Sequence, residues 1–168
     1  MDTVEEADSY EAMDHSAPNQ AFLCRLVELG AHGRMLDIGT GPGHLPVLVC
    51  EHFVDAEVVG IDLARKMLVH AEKRRVGSAV ADRIELKVMD AKDLAFEDAS
   101  FDAVFSNTIL HHIPDPIPFL KEAWRVLKPG GALLIRDLFR PESPERVAEL
   151  VALYAGEEAP YAQELFRA

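Results

Sequence analysis

The stretch MLDIGTGPGHLP, Met35 to Pro46, decides how the rest of the chain is read. Apolar residues flank Asp37 in a short strand, and glycines follow at positions 39, 41 and 43 before a helix-compatible run. Residues without a side chain let a ligand or a neighbouring backbone come close, and they adopt positive φ at little cost. A helix opening behind such a loop offers free N–H groups and a partial positive charge. The loop therefore reads as a binding turn at the carboxyl end of a buried strand.

Strands and helices alternate on both sides of this point. Ser16 and Pro18 open a helix that Gly30 stops, and strand 34–39 follows. Helix 44–53 carries Pro46 in its first turn, where no intrahelical partner is lost. Then come strand 57–62, helix 64–75, strand 83–90, strand 101–107 and helix 116–127. KPGG (128–131) is read as a turn into a fifth strand, 132–138, and Ser143–Pro144 as the start of a helix running to about Tyr154. Apolar strands separated by helices imply a parallel sheet covered on both faces. The expected fold is α/β, doubly wound and Rossmann-like, with strand order 3-2-1-4-5. Three parts are expected: a helical cap over 1–33, a core over 34–140, and a C-terminal helix and tail over 141–168.

In such sheets ligands bind beyond the carboxyl ends of the strands. Asp62 ends the second strand, where an acid can accept from ribose hydroxyls. Asp90 ends the third, beside an adenine site, and Asn107 ends the fourth. The glycine spacing G-T-G-P-G is not the dinucleotide G-x-G-x-x-G, which argues against a nicotinamide-dependent oxidoreductase. Asp37 is an unhelpful neighbour for a pyrophosphate and suits a ligand bearing an ammonium group.

With these residues in view, the chain resembles the class I S-adenosylmethionine-dependent methyltransferases, of the small-molecule methyltransferase-domain type. The resemblance is carried by LDIGTGPG (36–43), VVGIDLARKML (58–68), VMDAKDLAFED (88–98), FDAVFSNTILHHIPDP (101–116) and LKEAWRVLKPGG (120–131), in order over roughly residues 34–140. It implies S-adenosyl-L-methionine as cofactor, S-adenosyl-L-homocysteine as product, and a small-molecule acceptor. It places Gly39, Thr40, Gly41 and Gly43 at the methionine part, with Asp37 near the ammonium. Asp62 bridges the ribose hydroxyls, Leu63 packs on adenine, Asp90 and Ala91 contact the ring, and Met67 and Met89 touch it. Asn107 lies near the transfer site, and Tyr10 and Asn19 are expected cap contacts. His111 and His112 are candidate bases for an acceptor that must lose a proton. The histidine pair has no third ligand at a spacing suited to a metal.

The net charge of −12 repels phosphate backbones, and SNTI stands where methyltransferases of nucleobase amino groups carry Asn/Asp-Pro-Pro-aromatic, so no nucleic-acid partner is expected. No apolar run approaches the roughly 20 residues of a membrane span. The acidic N-terminus is unlike a signal or transit peptide. Cys24 and Cys50 have no metal or redox spacing and fit a reducing, cytoplasmic setting. The family sheet ends in an antiparallel strand pair that AGEEAPYAQELFRA (155–168) does not supply. That leaves strand five as an edge, and a homodimer or swapped assembly through strand five or the tail is expected. A cofactor-binding but inactive domain with an assembly or regulatory role is the alternative reading.

Overall fold

The computed structural model describes residues 4–12, 15–138 and 141–156. It falls into two compact units, divided between Asp137 and Leu138. The first holds a parallel sheet of β1 (Arg34–Ile38), β2 (Glu57–Asp62), β3 (Ile84–Val88), β4 (Phe101–Asn107) and β5 (Leu127–Arg136), in the order β3-β2-β1-β4-β5. Strand order therefore reverses beside β1, and the tips of β1 to β4 share one rim. That is the arrangement expected from the alternating pattern.

One face of the sheet is covered by α2 (Ser16–Glu28), α3 (His44–His52) and α4 (Arg65–Val76), and α1 (Val4–Glu11) packs against α4. Here Phe22, Leu26, Met35, Val49, Val58 and Phe105 form a buried cluster. The opposite face packs Leu36, Ile38, Val59 and Ile61 against Phe119, Ala123 and Val126 of α5 (Ile117–Val126). Alternate residues of each strand thus serve alternate cores, which is why the strands read as unbroken apolar runs. The second unit contains α6 (Pro144–Ala155), whose N-cap Ser143 accepts a hydrogen bond from the Arg146 amide.

Two local features differ from expectation. α1 is a separate helix ahead of α2, where the sequence showed only one clear helical repeat before β1. β5 begins at Leu127, directly after α5, and KPGG lies inside it as an irregularity: Phe101 pairs with Leu127 but Ala103 pairs with Ala132. The expected turn at 128–131 and strand start at 132 are therefore corrected: KPGG stays within β5 as a bulge, with Gly130 at φ +80° taking up the extra residues. Among the described residues no strand follows β5, and the tail beyond Gly156 lies outside them.

Gly43 shows what packing demands of the glycine loop. It sits at φ +78°, capping α3, and a Cβ there would lie 3.0 Å from the Cα of Ala71 on α4. Gly41, at φ +54°, faces open space. Gly43→Ala is therefore expected to lower unfolding stability by about 2 kcal/mol or more, through both strain and overpacking. Gly41→Ala should cost about 1 kcal/mol, from strain alone. Urea denaturation checks both; equal losses would contradict the assignment.

Candidate functional site

The strand tips enclose a cavity of about 330 Å³. Gly39 and Gly41 line it after β1, Asp62 and Leu63 at the end of β2, and Met89, Asp90 and Ala91 after β3. Asn107 and His112 line it after β4, Met67 comes from α4, and Tyr10 comes from α1. Asn19, Asp37, Thr40, Gly43 and His111 do not line it. Asn19 is buried on α2 and Gly43 is spent on the α3–α4 contact.

The loop is held by hydrogen bonds that the sequence did not reveal. The Gly39 and Thr40 amides both donate to Ile61 O, at 2.8 and 2.9 Å. Asp62 accepts from the Gly41 amide through Oδ2 and from the Ala64 amide through Oδ1, each at 2.8 Å. Burial raises the Asp62 pKa, while the Ala64, Gly41 and Leu63 amides oppose that rise. Asp62 is thus a loop anchor as well as a cavity wall. Each oxygen retains a lone pair for a further donor.

Asp37 is the most unusual group. It is 1% exposed, and neither its oxygens nor the buried Thr40 hydroxyl has a hydrogen-bond partner among the described residues. Burial pushes its pKa up to about 7; the adjacent Thr40 hydroxyl, near enough to favour the charged form though outside regular hydrogen-bond geometry, opposes the rise, and the Asp62 charge assists it. A buried carboxylate without a donor costs free energy unless something positive or hydrogen-bonding meets it. Asp90 is different. It accepts from both the amide and Nζ of Lys92, at 2.9 and 2.7 Å, and these bonds hold its pKa down.

Beyond β4 the backbone turns sharply at Thr108, whose φ of +67° is unusual for a β-branched residue. The 3-10 turn Leu110–His112 follows. Asp137 accepts from the Leu110 amide and pairs with His111 Nδ1, the latter at 2.8 Å. The ring of His112 lies 3.9 Å from that of His111, and burial and the His111 charge lower the His112 pKa. That direction favours the neutral imidazole of His112 at the cavity wall. Burial, followed by the Asp62 charge, raises the pKa of the Tyr10 phenol, which stays protonated.

Sequence reading missed Ile61, Ala64, Lys92, Thr108, Ile109 and Ile113 of the cavity wall, and Arg136 and Asp137 behind it. The last two had a signal. They are polar residues at a strand's carboxyl end, the criterion that found Asp62 and Asn107.

A parallel sheet with a cavity at its switch point has the architecture in which open α/β proteins bind their ligands. The family model described as "Methyltransferase domain" matches residues 36–135. The chain belongs to that family, with the class I architecture that its motifs imply. It is 37% identical over 135 residues to 27-O-demethylrifamycin SV methyltransferase of Amycolatopsis mediterranei, covering 76% of this chain and 49% of that protein. It is 38% identical over 109 residues to a ubiquinone/menaquinone biosynthesis C-methyltransferase of Desulfotalea psychrophila, covering 65% and 43%. Among solved structures it matches Haemonchus contortus phosphoethanolamine N-methyltransferase 2 in complex with S-adenosyl-L-methionine, with 34% identity and a TM-score of 0.69 over 82% of this chain and 32% of that one. The chain spans about half the length of the curated relatives it matches.

The state of Asp37 has a measurable consequence. A folded pKa above the unfolded value means that the native state binds this proton more tightly. Stability is then lost as pH rises from about 4 to about 7, and the loss is constant above that. Asp37→Asn removes the charge without removing volume. The variant should match the wild type near pH 4 and exceed it in unfolding stability at pH 8, by up to ~4 kcal/mol. Urea midpoints across that range test this; a gap independent of pH would contradict it.

Proposed function

We propose that this chain binds S-adenosyl-L-methionine in the strand-tip cavity and serves methyl transfer to a small-molecule acceptor. The observation that carries the reading is the gathering of Gly39, Gly41, Asp62, Asp90 and Asn107 from four strand tips around one cavity. Asp37, buried behind the loop after β1, adds a carboxylate that an amino-acid ammonium would complement. Asp62 stands one strand away for the ribose hydroxyls, and Asp90 and Ala91 beyond it for the adenine edge. Leu63, Met67 and Met89 give apolar walls for the ring. Gly39 and Gly41 admit the methionine arm, Thr40 and Gly43 shape the loop, and Asn107 borders the transfer site. Tyr10 on α1 covers the opening, and Asn19 supports that cap from within α2.

The sulfonium supplies an electrophilic methyl group. The chain's part is to hold the partners in line and exclude water. His112, neutral and at the wall, can take a proton from an acceptor hydroxyl or phenol. His111 sits behind it, with Nδ1 committed to Asp137. The relatives named above act on small molecules by name, and the surface charge of −12 favours no nucleic-acid partner. Free Cys24 and Cys50 fit a reducing, cytoplasmic setting, and no helix among the described residues is long and apolar enough to cross a membrane. The open edge of β5 is our proposed site for pairing with a second copy.

Calorimetric titration with S-adenosylhomocysteine should show binding, and Asp62→Ala should weaken it by about 1.5–3 kcal/mol, the scale of hydrogen bonds to a charged group. Unchanged affinity would refute the ribose assignment. Transfer of labelled methyl across a panel of phenols, quinols, amines and carboxylates tests activity; binding without any turnover would favour the inactive alternative. A monomeric mass by light scattering at micromolar concentration would refute the β5 pairing.

A further inference from the structure

We propose that Arg74, outside the cavity wall, couples the cap helix α1 to the glycine loop and so governs how fast the cofactor leaves. The inference rests on the cofactor reading above. α1 is poorly equipped to hold itself in place. Its eight residues are too few for a stable isolated helix, and Ala7 is the apolar side chain it buries among the described residues. It carries Glu5, Glu6, Asp8 and Glu11 and no basic residue. Its seat therefore depends on what meets those acids.

Two pairs do so from α4. His70 Nε2 lies 2.9 Å from Asp8, which is mostly exposed, so that pair carries little weight. Glu11 is less exposed, and Arg74 Nη2 donates to its Oε1. On α3, His44 Nε2 lies 3.2 Å from both Glu11 Oε2 and Arg74 Nη2. Burial, then the Arg74 charge, lowers the His44 pKa, with Glu11 opposing and His15 assisting. That direction favours a neutral His44, so the cation facing Glu11 is Arg74.

The same guanidinium reaches the loop. Arg74 Nε donates to Pro42 O at 3.1 Å, between Gly41 and Gly43. Asp62 holds the Gly41 amide one residue earlier, so the loop is pinned by an acid on one side and a base on the other. The loop walls the cavity through Gly39 and Gly41, and α1 walls it through Tyr10. Tyr10 in turn stacks on His15, with 4.5 Å between ring centroids, and His15 meets the edge of the His44 ring at 5.4 Å. One guanidinium thus joins two walls of the cavity without lining it. Packing would need only the aliphatic stem of Arg74, whereas two directed donors are in use here. Arg74 acts through Glu11 and Pro42, as a positioning residue.

The test combines hydrogen exchange of the ligand-free full chain with the dissociation rate of S-adenosylhomocysteine, in Glu11→Gln, Arg74→Met and the double variant. Glu11→Gln cuts the α1 arm alone, and should speed exchange over residues 4–11 by about three- to tenfold while leaving 39–43 unchanged. Arg74→Met cuts both arms and should speed exchange in both segments, with the strands unaffected. Dissociation should quicken by about three- to tenfold in each single variant. The double variant should be no faster than Arg74→Met, because the two substitutions break one shared contact. Faster exchange throughout the sheet in Arg74→Met would show that the arginine only maintains the fold, and would overturn the proposal. So would additive losses in the double variant, or a loosened α1 with an unchanged dissociation rate. If the wild type binds no S-adenosylhomocysteine, the cofactor reading fails and takes the claim on dissociation with it, while the exchange patterns still decide whether Arg74 couples cap and loop.

Discussion

Asp37 stands on β1, the central strand with two strands on each side, and its carboxylate is buried there without a hydrogen-bond partner of regular geometry among the described residues. No folding requirement puts an acid at that position. An apolar residue would continue the alternation of Met35, Leu36 and Ile38 and would avoid the desolvation cost. The rest of the site is arranged around that exception. The loop after β1 is pinned by Ile61 O and Asp62 on β2, so the tip of the central strand is fixed by its neighbour. The tip of β4 is fixed in turn by β5, through Arg136 to Asn107 and Asp137 to the histidine turn. Each of these strand tips is thus held by the neighbouring strand.

The glycine loop divides its labour. Gly43 is required by the approach of α4, and its replacement is a packing problem. Gly41 faces open space, and its amide is used to anchor the loop on Asp62. Binding and folding are therefore not separate properties here, because the acid that walls the cavity also fixes the backbone beside it. Removal of Asp62 takes away a cavity-wall carboxylate and a loop restraint together.

The fold was legible because the strands are doubly buried and their apolar runs are bounded by caps, glycines and prolines. The rule that ligands gather at carboxyl ends of parallel strands then located Asp62, Asp90 and Asn107 without coordinates. Three things were hidden. The interruption of β5 at KPGG depends on cross-strand pairing with Phe101 and Ala103, which local turn preference does not report. The anchoring bonds of Asp62 involve backbone groups, which carry no sequence signature. The amide orientation of Asn107 is set by Arg136, a contact between residues 29 apart in the chain.

The proposed ligand is a nucleoside carrying an amino-acid arm, and the electrostatics at β1 give that proposal its sharpest consequence. An ammonium arriving at Asp37 should force the carboxylate to ionise. Titration with S-adenosylhomocysteine in buffers of different ionisation heat reads this directly as protons exchanged on binding. The account predicts release of close to one proton at pH 6, fading by pH 8, and no such release in Asp37→Asn. Binding with no proton released at pH 6, or with release unchanged in that variant, would contradict it.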